Sequence, residues 1–305
     1  MITITREQLE GLYNQQKKLL SAAVTVPTIC LILGIVLRRS YYSEDVSRII
    51  DFVIILLIVV PFIFLGIIRK KLIPPGNGKI VNEAFSYMQQ DPISDNTVNM
   101  LFQKIGQAGN YADKTKLILL LADVYMFRGQ YNETINMLNS VDRSGFEKNP
   151  VIGMNFYDDT ISVYCALEDT QSVMLAYNDA EQFIMKCSSL NYICCHTAVN
   201  ILINVEIAKG NYQKALEMRL MMNDFANQTN QRTEARMQAT PINRIIKGSI
   251  FCNTAELFFH CGDYANAAKY LDIGGPMVAE CAGLLDEANK LSAKIREKMT
   301  GSSAN

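Results

Sequence analysis

Tryptophan is absent from this chain, and histidine occurs only as His196 and His260. With so little imidazole, a Ser-His-Asp arrangement or a histidine-rich metal site has almost nothing to draw on. No Gly-rich phosphate loop follows a strand, and neither HExxH nor a paired CxxC occurs. An excess of charge of either sign is missing too: Lys+Arg 29 against Asp+Glu 30 gives a formal net charge of −1. A nucleic-acid partner would call for a strong basic excess, so none is expected. Strand-like alternation is scarce after Lys79, where apolar residues recur instead at spacings of three and four. The expected fold class is all-α, and no catalytic residue, cofactor or metal ion is expected.

What the chain does have is two long apolar runs near its start. Leu19–Leu37 carries no ionisable group but the thiol of Cys30, and the second run, 49–68, is interrupted only by Asp51. At about 1.5 Å rise per residue, each spans most of a hydrocarbon core of roughly 30 Å. The expected organisation is a polar, helical segment at 1–18, opened by a capping box at Thr5 and Gln8. A transmembrane hairpin follows over 19–71, with spans 19–37 and 49–68. A cleaved signal peptide would start nearer Met1 and end at small residues, and the length and flanks do not suit one. Lys17 and Lys18 precede the first span, and Arg69, Lys70 and Lys71 follow the second, against Arg38, Arg39 and Arg48 between them. Counting cations places both termini in the cytoplasm. Without tryptophan, the interfacial aromatic belt rests on Tyr41, Tyr42 and Phe62. Pro27 and Pro61 interrupt the spans. Asp51 reads either as an ion-pathway acid or, being close to the interface and to Arg48, as a surface-facing one.

Pro74-Pro75 and Gly76-Asn77-Gly78 make 72–79 a linker, and 80–305 is expected to be one helical domain. Its first apolar faces are Ile80, Ala84, Phe85 and Met88, then Val98, Leu101, Phe102 and Ile105. Seven of the eight cysteines, Cys165, Cys187, Cys194, Cys195, Cys252, Cys261 and Cys281, fall in helical patterns of this domain. They read as reduced, buried small hydrophobes of a cytosolic domain, and the sequons at Asn132 and Asn227 weigh little beside that.

One turn device is used three times: Gly129-Gln130-Tyr131, Gly210-Asn211-Tyr212 and Gly262-Asp263-Tyr264. The glycine ends one helix in a left-handed turn, a polar residue starts the next, and a tyrosine packs in its first turn. Gly129 and Gly210 are about twice 40 residues apart, with a degenerate turn at Leu167-Glu168-Asp169-Thr170 midway. The excess spacing before Gly262 fits a polar inter-repeat loop at 227–240. Before the turns, Leu121-Ala122 with Tyr125, and Ala255 with Phe258, repeat a large-small-aromatic order. After them Ala215 and Ala267 supply a small residue, Thr134 a partial match, and Leu138 and Leu271 a late apolar one. Over roughly 113–273 the chain resembles the tetratricopeptide repeat family. The resemblance implies a right-handed α-solenoid of stacked helix pairs, in which Ala122, Tyr125, Gly129, Tyr131, Gly210, Tyr212, Ala215, Ala255, Gly262, Tyr264 and Ala267 are structural. Three positions depart from the family pattern: Ile203 for a small residue, Glu206 for the aromatic and Arg219 for the late apolar residue. The second unit, near 151–186, has lost the signature, and the spacing exceeds the family's about 34 residues. A final helix, Pro276–Met299, with charged residues along it, is expected to cap the stack.

Candidate sites in this domain are few. Cys187, Cys194, Cys195 and His196 offer thiolate and imidazole to zinc, but helix neighbours diverge by about 100° and cannot all face one ion. Asp158 and Asp159 could be paired carboxylates; adjacent helical residues point apart, which favours a solvated face. His260 at a helix end would complement the dipole. Met218, Met221 and Met222 suit either core filling or an adaptable surface. Asn155, Asp159, Asn200, Asn204 and Asn253 are polar residues in mid-helix that propensity does not account for, and they are the expected partner-binding set. The expected function is a membrane-anchored adaptor or scaffold binding a protein or peptide at the cytoplasmic membrane face. The alternative is an accessory subunit of a transporter or envelope complex whose transmembrane hairpin is the working part. Asp51→Asn separates the two, since an adaptor should not respond to it.

Overall fold

The computed structural model describes residues 3–40, 55, 59, 63, 78–230 and 240–301. Those residues are helical or lie in turns, with no strand among them. The chain divides into two compact units, Thr3–Pro74 and Pro75–Asn305. The division falls between the two prolines of the expected linker.

In the first unit, α1 runs unbroken over Arg6–Ser40, 35 residues, and continues through Pro27. Thr5 caps it as its sequence predicts, its hydroxyl accepting from the Gln8 N–H at 3.3 Å. The helix thus joins the polar segment 1–18 to the first apolar run, and it carries Arg38 and Arg39 rather than leaving them to a loop. Among the described residues no helix is long and apolar enough to cross a membrane. Of the second run, only Ile55, Val59 and Ile63 are described, each helical and exposed. Asp51, Pro61 and the rest of that run lie outside the described residues.

The second unit opens with α2 (Lys79–Met88) and α3 (Asp95–Gln107). Four helical hairpins follow. These are α4 (Tyr111–Phe127) with α5 (Tyr131–Asn139), and α6 (Pro150–Ala166) with α7 (Thr170–Ser188). Then come α8 (Tyr192–Ala208) with α9 (Tyr212–Asn230), and α10 (Pro241–His260) with α11 (Tyr264–Gly274). The last helix, α12, spans Ala282–Gly301 and so starts later than Pro276, which sits in a short 3-10 turn, Gly275–Met277. At the other correction, α9 carries on through Asn227–Asn230, residues expected in a loop. The remainder of that loop up to Ala239 lies outside the described residues.

Local chemistry explains the helix starts. Asn110, Asp169, Asn191 and Asp263 each accept the N–H three residues on, at 2.9–3.1 Å. Such a cap satisfies one of the donors a helix leaves open at its start. Pro150 and Pro241 occupy first-turn positions where no N–H is needed.

The hairpin turns share one geometry. Gly129, Gly210 and Gly262 lie at φ +72°, +75° and +81°. In each, the glycine N–H reaches back three residues and the next N–H reaches back five, as from Gln130 to the Tyr125 carbonyl at 2.9 Å. The degenerate turn repeats both bonds with Glu168 in the glycine's place, at φ +56°. A side chain there is crowded against its own backbone by roughly 1–2 kcal/mol. Part of that returns through a more ordered unfolded chain, so Glu168→Gly is expected to stabilise by about 0.5–1 kcal/mol. Chemical denaturation checks this, and a loss of stability would show that the Glu168 side chain holds the turn.

The first helices of successive hairpins pack on one another, α4 on α6 and α6 on α8, while α9 bridges α8 and α10. Ala122, Ala215, Ala255 and Ala267 are fully buried at these contacts, as small residues must be where helices approach closely. Phe85 and Phe102, by contrast, stand exposed, and Thr97 is buried beside Leu101. Val81, Ala84, Met88, Leu101, Leu117, Leu121 and Val124 form the first apolar cluster, and Ile242 from the start of α10 joins it. The last hairpin therefore reaches back to the first. So does α12, which packs on α4 as well as on α10 and α11. Its Glu287 accepts a hydrogen bond from the Tyr131 hydroxyl, 156 residues away in sequence. It covers the final pair and also braces that end to the first hairpin.

Candidate functional site

Polar side chains between the first helices form a ladder. Asn204 on α8 donates to the Ser162 hydroxyl on α6 at 2.9 Å, and the Cys165 thiol donates to the Asn204 carbonyl at 3.3 Å. One turn earlier on α8, the Asn200 side-chain oxygen accepts from Arg219 Nη1 on α9 at 3.3 Å. Two of the expected partner-binding residues, Asn200 and Asn204, are therefore engaged in holding helices together.

Three carboxylates of α4 and α6 influence one another electrostatically. Asp123 comes from α4, Asp158 and Asp159 from α6, with Lys116 one end of α4 away. Each carboxylate keeps partial access to solvent, yet protein surrounds it closely enough for burial to dominate its titration. Burial raises the Asp123 carboxyl to about 6, opposed by Lys116. It raises Asp158 to about 7, with Arg219 opposing and Asp123 assisting. Asp159 is pushed well above the usual range by burial and then by its two acidic neighbours. Low local dielectric disfavours the charged form, and like charges add to that. Among the described residues, no hydrogen bond or ion pair closes on any of the three carboxylates. The expected solvated face is thus half-buried at Asp158 and Asp159 alike.

Arg219 lies behind Asp158. It is only 8% exposed, and its Nε has no hydrogen-bond partner. Burial lowers its affinity for the proton, and Asp158 opposes that shift. His196, one turn before Asn200, is pulled down to about 4 by burial and by Arg219, so it is neutral at ordinary pH. Glu206, another departure from the repeat pattern, is buried against the start of α9. Burial alone would raise its carboxyl, but bonds from Asn211 and Lys214 and the charge of Lys209 win and lower it.

The other sequence candidates sit elsewhere. Asn155 is half-buried one turn before Asp159, and Asn253 is exposed on α10. Cys187, Cys194 and Cys195 are buried free thiols, raised to about 11–12 by burial. Among the described residues no group of three or more His, Cys, Asp or Glu side chains is placed to hold a metal ion. His260 differs from expectation. Burial and Lys294 lower its pKa, and the neutral ring stacks on Tyr212 at 4.1 Å between centroids. Tyr264 likewise packs on Phe259. A cavity of about 380 Å³ runs under α12 and is lined by Glu168, Glu256 and Glu287 together with Lys290, Lys294 and Arg128, charges of both signs.

Sequence reasoning included Asp159 and discounted Asp158; it missed Asp123. Arg219 was visible as a break in the repeat pattern, a charged residue where an apolar one was due. Compared with family models, characterised proteins and solved structures, the chain finds no match in any of the three.

Proposed function

We propose that the chain is a membrane-anchored adaptor whose helical repeats, a right-handed tetratricopeptide-like α-solenoid, bind a segment of a partner protein at the cytoplasmic face. The observation that carries this reading is the row of four helical hairpins with one repeated turn geometry, on which Asp123, Asp158 and Asp159 come from adjacent hairpins and lack protein partners among the described residues. Carboxyl groups whose proton affinity is raised by their surroundings cluster at functional sites. Anchoring is supported by the exposed apolar side chains of the first unit. Leu20, Ile29, Ile32 and Leu33 stand out from α1, and Ile55, Val59 and Ile63 recur every fourth residue, all near half-exposed or more. Apolar surface of this kind needs lipid or another protein to cover it. The hairpin anchor would raise the local concentration of the repeat domain at the membrane. Two measurements test the proposal. The full-length chain should remain in the membrane pellet after alkaline carbonate extraction. It should also copurify from detergent with a protein retained in proportion to it. Recovery in the supernatant would end the anchored reading, and purification alone from detergent would end the adaptor reading.

A further inference from the structure

We propose that the cavity under α12 binds a free α-amino acid with an apolar side chain, its ammonium taken by Glu168 and Glu256 and its carboxylate by Lys294. Such a ligand is distinct from the adaptor's protein partner, and its binding is measured without that partner.

The cavity, about 380 Å³, is built from parts distant in sequence. The α6–α7 turn brings Glu168, the end of α10 brings Glu256 and Phe259, and one face of α12 brings Lys290, Leu291 and Lys294. Its volume lies in the range of small-molecule pockets, roughly 300–1,000 Å³. It also opens to solvent, since the Glu256 side chain is 60% exposed. Yet burial raises the proton affinity of that same carboxyl, and of Glu287. A carboxyl that is wet at its surface and closely surrounded by protein belongs to a concave site rather than to a convex face.

Charges of both signs stand in this space without closing on one another. Lys294 lies within electrostatic reach of Glu256, and Glu168 of Lys290, but neither couple forms an ion pair. Lys290 is held instead by Asp286 at 2.6 Å, and Arg128 by Asp95 at 2.8 Å. Among the described residues, Glu168 and Lys294 make no side-chain hydrogen bond, and Glu256 has only the neutral His260 ring at 3.9 Å. Two acids and a cation are thus left open in one cavity. A dication answers only the acids, and a dianion only the lysine. A molecule carrying an ammonium and a carboxylate on one carbon answers both, through charge-assisted hydrogen bonds at each end. Phe259, Leu291 and Ala166 supply apolar contacts for its side chain. Glu168 adds a separate sign. It holds at φ +56° the left-handed backbone that the other three turns give to glycine. The strain is kept where a carboxylate reaches the cavity, and strained backbone concentrates at ligand sites.

The full-length chain in detergent micelles is dialysed to equilibrium against labelled L-leucine or L-phenylalanine. The expected result is saturable binding of one molecule per chain. Binding should be at least tenfold weaker for N-acetyl-L-leucine, which lacks the ammonium, and for L-leucinamide, which lacks the carboxylate. Lys294→Met and the double variant Glu168→Gln with Glu256→Gln, all at exposed positions and checked for helicity by circular dichroism, should each lose at least tenfold in affinity for leucine. They also separate the two ends. Lys294→Met should bind leucine no better than leucinamide, and the double variant should bind it no better than N-acetyl-leucine. Bound leucine should slow amide exchange in α12, which uptake into the micelle would not do. Equal affinity of the unaltered chain for leucine and either derivative would overturn the assignment of a zwitterion. Full affinity in both variants would place the bound molecule elsewhere and overturn the site. Absence of saturable binding of either amino acid up to about 10 mM would overturn the inference outright.

Discussion

Asp158→Asn should stabilise the helical domain by about 2 kcal/mol at pH 8 and by almost nothing at pH 3.5. The Asp158 carboxyl is raised to about 7 by burial, against about 3.9 for an unfolded aspartate. A raised carboxyl binds its proton more tightly in the folded state, so between those two values the native chain holds more protons than the unfolded one. Stability therefore falls as pH rises through that window and is level outside it. At about 1.4 kcal/mol per pH unit, the full window amounts to roughly 4 kcal/mol. Partial access to solvent screens the site, and roughly half that figure is the expected gain. Asparagine keeps the shape and never ionises, so it escapes the penalty at high pH and resembles the protonated acid at low pH. Urea denaturation of both proteins across this range measures the difference directly. A gain that does not depend on pH would show that Asp158 is not crowded as described.

Gly129→Ala should cost about 3 kcal/mol, whereas Gly210→Ala should cost about 1 kcal/mol, although the two glycines have nearly the same backbone conformation. The added methyl at Gly210 meets open space, so only the left-handed strain counts. At Gly129 it would stand 2.9 Å from the Gly283 Cα at the start of α12, closer than two carbons tolerate. A methyl on Gly283 would in turn lie 2.5 Å from the Gly129 nitrogen. Backbone against backbone leaves no flexible side chain to move aside, and α12 must lift. Denaturation midpoints of the two variants and of Gly283→Ala provide the comparison. Equal costs at Gly129 and Gly210 would mean that α12 does not close on the first hairpin.

Much of the helical order was legible because its signals are local. The three glycine turns follow from residue type, as left-handed backbone admits few alternatives, and Asp169 marked the fourth start even where Glu168 replaced glycine. The position of α12 was not legible. Its charged residues suggested an outward face, but Glu287 meets Tyr131 and Lys290 lines a cavity, and contacts across 156 residues leave no periodic trace. The candidate site was half legible for a similar reason. Helical geometry sends Asp158 and Asp159 in different directions, but it does not say that Asp123 of the neighbouring hairpin comes within electrostatic reach of both. Arg219 and Glu206 were the better clue: charges at positions the repeat pattern reserves for apolar or aromatic residues turned out to be buried and to face other polar groups. His260 shows the limit of reading one helix end alone, because the ring it stacks on belongs to the preceding hairpin.

The cross-brace of α12 changes how the helical domain should come apart. An open row of helix pairs frays from its termini, so its outermost pairs exchange their amide hydrogens long before the middle ones. Here Tyr131–Glu287 and the Gly129–Gly283 contact fasten α12, which packs on the α10–α11 pair, to the α4–α5 pair, so the α10–α11 pair is not free to peel away. Amide exchange in α4 and α11 should then be as slow as in α6 and α8, and melting should proceed in one sharp step.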